Sequence, residues 1–368
     1  MSNGSNGTPE PGHEYPAGWA PGELPGKSRV PTSSARWVLA ALAVVTVVAV
    51  AAVLVFTGDE PRSSASAGRG ADSTTSAARA ANAAPGTVAS AKDTGPVEII
   101  TEDDTCGVWD NVQTAVSVAR NSGWNDRDPW VQSSTWTPDQ RSQFEAVGEA
   151  LRTGADTAVQ LVSQTPHRTM RKLYEAFIVY GRAYADGLLN YQPMDDYLAQ
   201  TSVAAADAIT SICSANRSKV TGVQAPKLAP VPPPSAPPVV GDPSEPKRFL
   251  TQPNPSCAEW MTNETALRDQ LRNWSAMDPN IAVGQLDKEQ VLTYADAART
   301  ANAFADTMEA GGRSSGNPVF EDFATLGAIY FRAYAQAVPL IWAGDNDMAE
   351  VGLAVNRLVT AGCQTTVT

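Results

Sequence analysis

From Trp37 to Gly58 the chain runs 22 residues without a charge. About 20 apolar residues cross the hydrocarbon core of a bilayer as a helix, at about 1.5 Å each. The run therefore predicts one transmembrane helix at 37–58. Beyond it the apolar positions take up helical spacing. Val108, Trp109, Val112, Val116 and Ala119 make a first stripe, then Trp124 to Trp136 reads as a loop. Thr137-Pro138-Asp139 resembles a helix start, with Pro at the first helical position. Phe144, Val147, Leu151, Ala155, Ala158 and Leu161 follow as a long stripe. Leu173, Phe177, Tyr180, Tyr184 and Leu188 line a third helix that ends at Gln192-Pro193, and a fourth runs from about Met194 to Cys213. Four further stripes lead from Trp260 to Cys363. Alternation of β-branched residues is missing throughout, so no strands are expected.

The stripes repeat. Tyr180-Gly181-Arg182-Ala183-Tyr184 returns as Tyr330-Phe331-Arg332-Ala333-Tyr334, at an offset of 150. The same offset brings Trp124 to Trp274, Asp128-Pro129 to Asp278-Pro279, Gln140 to Gln290, Asp156 to Asp306 and Cys213 to Cys363. Upstream the offset is 151, which aligns Cys106 with Cys257 and Trp109 with Trp260. The pattern predicts an all-α protein: one N-terminal transmembrane helix, then two tandem, duplicated four-helix-bundle units, each closed by a disulfide. The expected divisions are a disordered cytoplasmic tail at 1–36, the membrane helix at 37–58 and a flexible Ala/Ser/Thr-rich stalk at 59–96. Unit 1 at 97–216, a Pro-rich linker at 217–255 and unit 2 at 256–368 complete the chain. The linker's prolines predict an extended polyproline II spacer.

Charge orients this arrangement. Lys27, Arg29 and Arg36 precede the apolar run and Asp59 and Glu60 follow it. The positive-inside rule places the N-terminus in the cytoplasm and everything after Gly58 outside, on a plasma membrane crossed once. Ala65-Ser66-Ala67 leaves a cleaved signal peptide as the alternative. A net charge of −12 excludes a nucleic-acid partner, which needs a basic footprint.

Outside the membrane disulfides persist. In an up-down-up-down bundle the first helix begins where the fourth finishes, so Cys106 is expected to pair with Cys213 and Cys257 with Cys363. No two cysteines lie close enough for a zinc knuckle, and the two histidines, His13 and His167, do not share a site, so no metal and no cofactor are expected. Catalytic motifs such as HExxH, GxSxG and the P-loop are missing. No catalytic residue is therefore assigned.

Candidates for a ligand site or interface are the repeated residues themselves: Trp124, Trp274, Asp128, Asp278, Tyr180, Tyr184, Tyr330, Tyr334, Arg182 and Arg332. The tryptophans read first as core and bundle-end packing, the Asp-Pro pairs as turns. Arg182 lies about 160° around its helix from Tyr180 and from Tyr184, so it points away from the Tyr stripe. One reading makes it a solvated charge paired with Asp186. In the second copy Gln336 stands at that place, which favours a partner from another segment, with Asp128 and Asp278 as first candidates.

The Ala/Val/Arg-rich composition, single anchor, Ala/Ser/Pro stalk and acidic helical exterior resemble, in style, envelope proteins of high-GC actinobacteria; no residue roles follow from that. The expected function is a non-enzymatic, membrane-anchored envelope module, binding or scaffolding a protein or a lipid or glycan partner. The alternative is an envelope hydrolase or transferase using carboxylates in a cleft between the two units.

Overall fold

The structure, a computed structural model, describes residues 88–278, 281, 283–338 and 344–367. The tail at 1–36, the apolar run at 37–58, the stalk up to residue 87 and Pro279 lie outside the described residues. Among the described residues every regular element is a helix, and no helix is long and apolar enough to cross a membrane.

Helix α1 spans Cys106–Asn121, α2 Pro138–Gln164, α3 Arg168–Gly187 and α4 Asp196–Arg217. A short α5, Val220–Gln224, leads into the Pro-rich segment. Then come α6 at Ser256–Gln270, a single turn α7 at Arg272–Ser275, α8 at Lys288–Ser314, α9 at Pro318–Ala337 and α10 at Asp345–Gln364. Helices α2 and α8 have 27 residues each, α3 and α9 have 20 each, and both pairs start 150 residues apart.

Local chemistry explains why the bounds coincide. Thr137 Oγ1 accepts from the Gln140 N–H, and Gln140 Oε1 accepts from the Thr137 N–H. Asp287 and Gln290 make the same reciprocal pair at the start of α8. The repeated glutamines are thus the third positions of two capping boxes, in which Thr and Asp serve equally well as the cap. At α9 Asn317 accepts from the Val319 and Phe320 N–H groups. His167, its counterpart, makes no such cap and instead meets the Glu102 carbonyl through Nε2 at 2.9 Å.

The disulfides join Cys106 to Cys213 and Cys257 to Cys363, with Cα atoms 5.5 and 5.6 Å apart. Each ties the start of the first helix of a half to the end of its last, as the topology requires.

The two halves share one core. Among the described residues, helices α4 and α10 make the most extensive packing. Ser214 Oγ donates to Asp347 and Asp207 faces Arg357, so the two helices run antiparallel. Both are rich in buried alanine, and small side chains let helix axes come close.

Two segments expected to be free are docked. Residues 89–92 form a 3-10 turn, Ser90 is buried, and Val97 and Ile100 join the core, so the last part of the 59–96 stretch belongs to the folded body. The Pro-rich segment does more than span a distance. Ser235 donates to Glu321, Lys172 donates to the Val239 carbonyl, and Leu250 is buried. The segment lies as a strap across α3 and α9. It can lie there because its prolines hold it extended and its other positions supply the hydrogen-bonding groups.

Candidate functional site

Trp124 is buried beside Tyr184, its indole N–H donating to the Tyr184 hydroxyl at 2.9 Å. Arg127 lies over the Trp124 ring, 3.3 Å from guanidinium carbon to centroid, and donates through Nε to Asp196 at 3.1 Å. The loop expected between Trp124 and Trp136 is therefore pinned to the start of α4 by an arginine that the repeat does not mark. Position 277, the counterpart of Arg127, holds Met. Trp274 meets Tyr334 edge-on with centroids 5.9 Å apart, as Trp124 meets Tyr184 at 6.3 Å. Burial pushes the hydroxyl pKa of both tyrosines upward. Neither is poised for acid–base chemistry.

Tyr180 and Tyr330 are also enclosed. Tyr180 packs edge-on against Phe249 at 5.9 Å, and its pKa is pushed up to about 12 by burial. The Tyr330 hydroxyl donates to the Ile100 carbonyl, which fastens the N-terminal stretch onto α9. All four repeated tyrosines therefore serve the core.

Asp128 is exposed and closes its own turn, accepting from the Trp130 N–H at 2.9 Å. The Asp278 carbonyl accepts from the Ile281 N–H. Neither carboxylate is the one that meets its repeat-mate arginine. Arg182 Nη2 reaches Asp156 at 2.7 Å, and Arg332 Nη2 reaches Asp306 at 2.7 Å. These partners come from α2 and α8, and they are themselves repeated in Ala155-Asp156-Thr157 and Ala305-Asp306-Thr307. The arginines are 31% and 21% exposed, so the back of each third helix is partly covered by its neighbour. Arg332 also pairs with Glu309. Burial acts to lower its pKa, the two carboxylates act to raise it, and the net shift is upward. The pairing with Asp186 does not form, since Asp186 binds Arg152.

The most buried ion pair among the described residues joins two positions that the repeat does not match. Arg168 is 1% and Asp322 0% exposed. Arg168 Nε and Nη2 donate to the two Asp322 oxygens at 2.8 and 3.1 Å. Nη1 donates to the Asp93 carbonyl at 2.8 Å and carboxylate at 3.1 Å, and Nη2 also donates to the Gly95 carbonyl at 3.1 Å. All five guanidinium hydrogens are therefore engaged. One arginine joins the first half, the second half and the segment entering from the stalk. Sequence did hold a trace of this. At the offset of 150, Arg171 and Lys172 stand opposite Glu321 and Asp322, a reversal of charge at the start of the two third helices.

Among the described residues no group of three His, Cys, Asp or Glu side chains could hold a metal ion. An open groove of ≈ 740 Å³ lies between Val88 and Ala91, α2 at Val159 and Ser163, and strap residues 240–244. It gathers no repeated candidate residue.

These features define a disulfide-closed, all-helical domain whose aromatic and ionic groups hold its parts together. The chain belongs to the family described as Mycobacterial ESX-1 associated protein, which matches it over residues 88–367. That range coincides with the helical body. An uncharacterised protein of Mycolicibacterium smegmatis (strain MKD8) is 37% identical over 355 residues, 96% of this chain and 91% of the relative. So wide an alignment also runs through the apolar segment at 37–58. No solved structure matches the chain.

Proposed function

We propose that this chain is a membrane-anchored, extracytoplasmic binding or scaffold protein of the cell envelope, acting without catalysis among components of the ESX-1 system. One observation carries the reading. The repeated aromatic side chains and arginines, which hold most of the candidate chemistry, are engaged inside the fold as packing and ion pairs. The molecule thus presents shaped helical surfaces to a partner. Family membership supports the ESX-1 setting. The charge asymmetry around 37–58 and two disulfides support an exterior location. Equal helix lengths and recurring capping boxes at one offset support descent of the two halves from one duplicated four-helix unit.

Two experiments test it. In intact cells an impermeant thiol reagent should label Ser73→Cys but not Ser5→Cys; the reverse pattern would sink the orientation. Crosslinking from the cell exterior should recover ESX-1 components with the full-length chain. Recovery no greater than with an unrelated anchored protein would overturn the proposed setting.

A further inference from the structure

The groove between α3 and α9 is occupied by this chain's own proline-rich strap, and the contacts there have the character of a recognition site. Ser235 gives both its N–H and its hydroxyl to Glu321, at 3.2 Å each to one oxygen. Lys172 donates from Nζ to the Val239 carbonyl at 3.2 Å while holding Glu175 at 2.6 Å. Farther along, where the strap passes over α2 and α3, Arg182 donates to the Ser244 carbonyl at 2.9 Å. A polyproline II backbone has no internal hydrogen bonds, so its carbonyls are free to accept such donors. Most of these contacts go to strap backbone groups, so the groove reads an extended backbone rather than one particular side-chain sequence. Pro238 is buried between the polar anchors.

Beyond these polar anchors the strap is fastened at both ends. Downstream, Phe249 packs between Tyr180 and Phe323 and lies so close to Gly362 that an added Cβ there would sit 2.4 Å from its ring. Upstream, Thr221 is fully buried and its hydroxyl donates to Asn216. In between, Pro232, Pro233, Ala236 and Pro237 are exposed, and Val239 is 85% exposed. Among residues 232–239 only Pro238 is buried. On the same helix Arg171 is 1% exposed, and its Nε and Nη1 have no hydrogen-bond partner among the described residues. The guanidinium lies 3.9 Å from the Glu175 carboxylate that Lys172 grips. A buried donor without a hydrogen-bond partner thus lies beside the Lys172–Glu175 pair that holds the strap.

We propose that the α3/α9 groove is a binding site for an extended, proline-rich segment of another protein, and that residues 230–239 are its internal, displaceable occupant. A partner segment enters as the strap lifts. It accepts from Lys172, donates to Glu321, and supplies an acceptor to Arg171. This deepens the binding reading above, and its test needs neither a membrane location nor ESX-1 components.

The test uses the full-length chain purified in detergent, with residues 230–239 replaced by an equal run of Gly and Ser, which lacks the preset extension that seats the backbone at positions 235 and 239. The probe is a labelled synthetic peptide with the sequence of residues 229–245, titrated by fluorescence anisotropy. A tethered segment competes at an effective concentration of about millimolar, so the replaced chain should bind the peptide at least about tenfold more tightly than the natural one. Glu321→Ala or Lys172→Met in the same background should abolish binding, whereas Arg217→Ala, on an exposed pair elsewhere, should leave it intact. If the replaced chain loses its helical circular dichroism, a protease site placed between Pro232 and Pro233 opens the strap after folding, and the same peptide is titrated onto the cut chain. A folded, opened chain that shows no saturable binding overturns the proposal. So does binding equal to that of the natural chain, or binding that ignores Glu321→Ala and Lys172→Met.

Discussion

Helices α3 and α9 are equally long and start 150 residues apart, yet their first turns carry opposite charge. One begins Arg168-Thr169-Met170-Arg171-Lys172, the other Pro318-Val319-Phe320-Glu321-Asp322. Two identical turns meeting here would place like charges together in a desolvated site, where repulsion is several-fold stronger than in water. The reversal turns that repulsion into the Arg168–Asp322 pair. Farther along the same helices the halves agree, with Tyr, Arg and Tyr at matching positions. The repeated Arg182 and Arg332 each pair within their own half, whereas the pair that joins the halves, Arg168 with Asp322, is complementary.

The largest effect that tests this comparison is loss of a disulfide. The bonds close stretches of 107 and 106 residues. In the chain-entropy model each contributes about 4–5 kcal/mol. Replacing Cys106 and Cys213 by Ser, or Cys257 and Cys363 by Ser, should lower the thermal midpoint by similar amounts. Because the halves share one core, calorimetry should show one transition in each case. Two separated transitions would mean that the halves unfold independently and that the shared core is energetically minor.

Next comes the contact itself. Removing one partner of a buried ion pair costs roughly 3–5 kcal/mol, because the other charge stays buried alone. Asp322→Ala should therefore destabilise in urea melts, by less than that full cost because Asp93 stays paired with Arg168. Arg168→Ala combined with Asp322→Ala should cost clearly less than the sum of the single losses. Strict additivity would show that the pair is not coupled.

How much of this could be read in advance follows the same division. The helices, their stripes and both disulfide pairings were legible, because apolar period and bundle topology are local or symmetric constraints. The partner of Arg182 and Arg332 was not. Asp156 and Asp306 were visible as a repeated pair, but their meeting depends on how α2 and α8 rotate about their axes. The strap read as a spacer because proline runs announce extension and say nothing of what lies beneath. Arg168 stayed hidden because its counterpart is Pro318, and a search for identities passes over complementarity.

A smaller effect sharpens the contrast between Arg182 and Arg332. Both are partly exposed, so each pair falls toward the range of about 0.2–1 kcal/mol measured for solvent-facing ion pairs. Arg332 has two carboxylate partners and is more enclosed, whereas Arg182 has one carboxylate and the Ser244 carbonyl. Arg332→Ala should lower the midpoint slightly more than Arg182→Ala. The opposite order would show that the strap carbonyl is the stronger anchor.

The smallest effect concerns pH at the seam between α4 and α10. Burial raises the pKa of Asp347, partly offset by the hydrogen bond from Ser214 and by Arg217. Burial also raises that of Glu350, which Arg357 opposes and Asp207 and Asp347 reinforce. A carboxyl whose pKa is higher folded than unfolded binds its proton more tightly in the native state. Its destabilising influence is then present at neutral pH and fades as pH falls through the folded value, until the unfolded chain protonates too, near about pH 4. The thermal midpoint should therefore rise modestly on acidification from neutral pH toward the ordinary carboxylate range. Glu350→Gln should raise it at neutral pH and flatten the dependence, because the neutral amide avoids the cost of burying a charge. Asp296 and Arg299 form an exposed pair on α8 that acts on neither carboxyl, so Asp296→Asn should leave the slope as it was. A midpoint that falls steadily from neutral pH, with Glu350→Gln following the same line, would place the controlling carboxylates elsewhere than between the two halves.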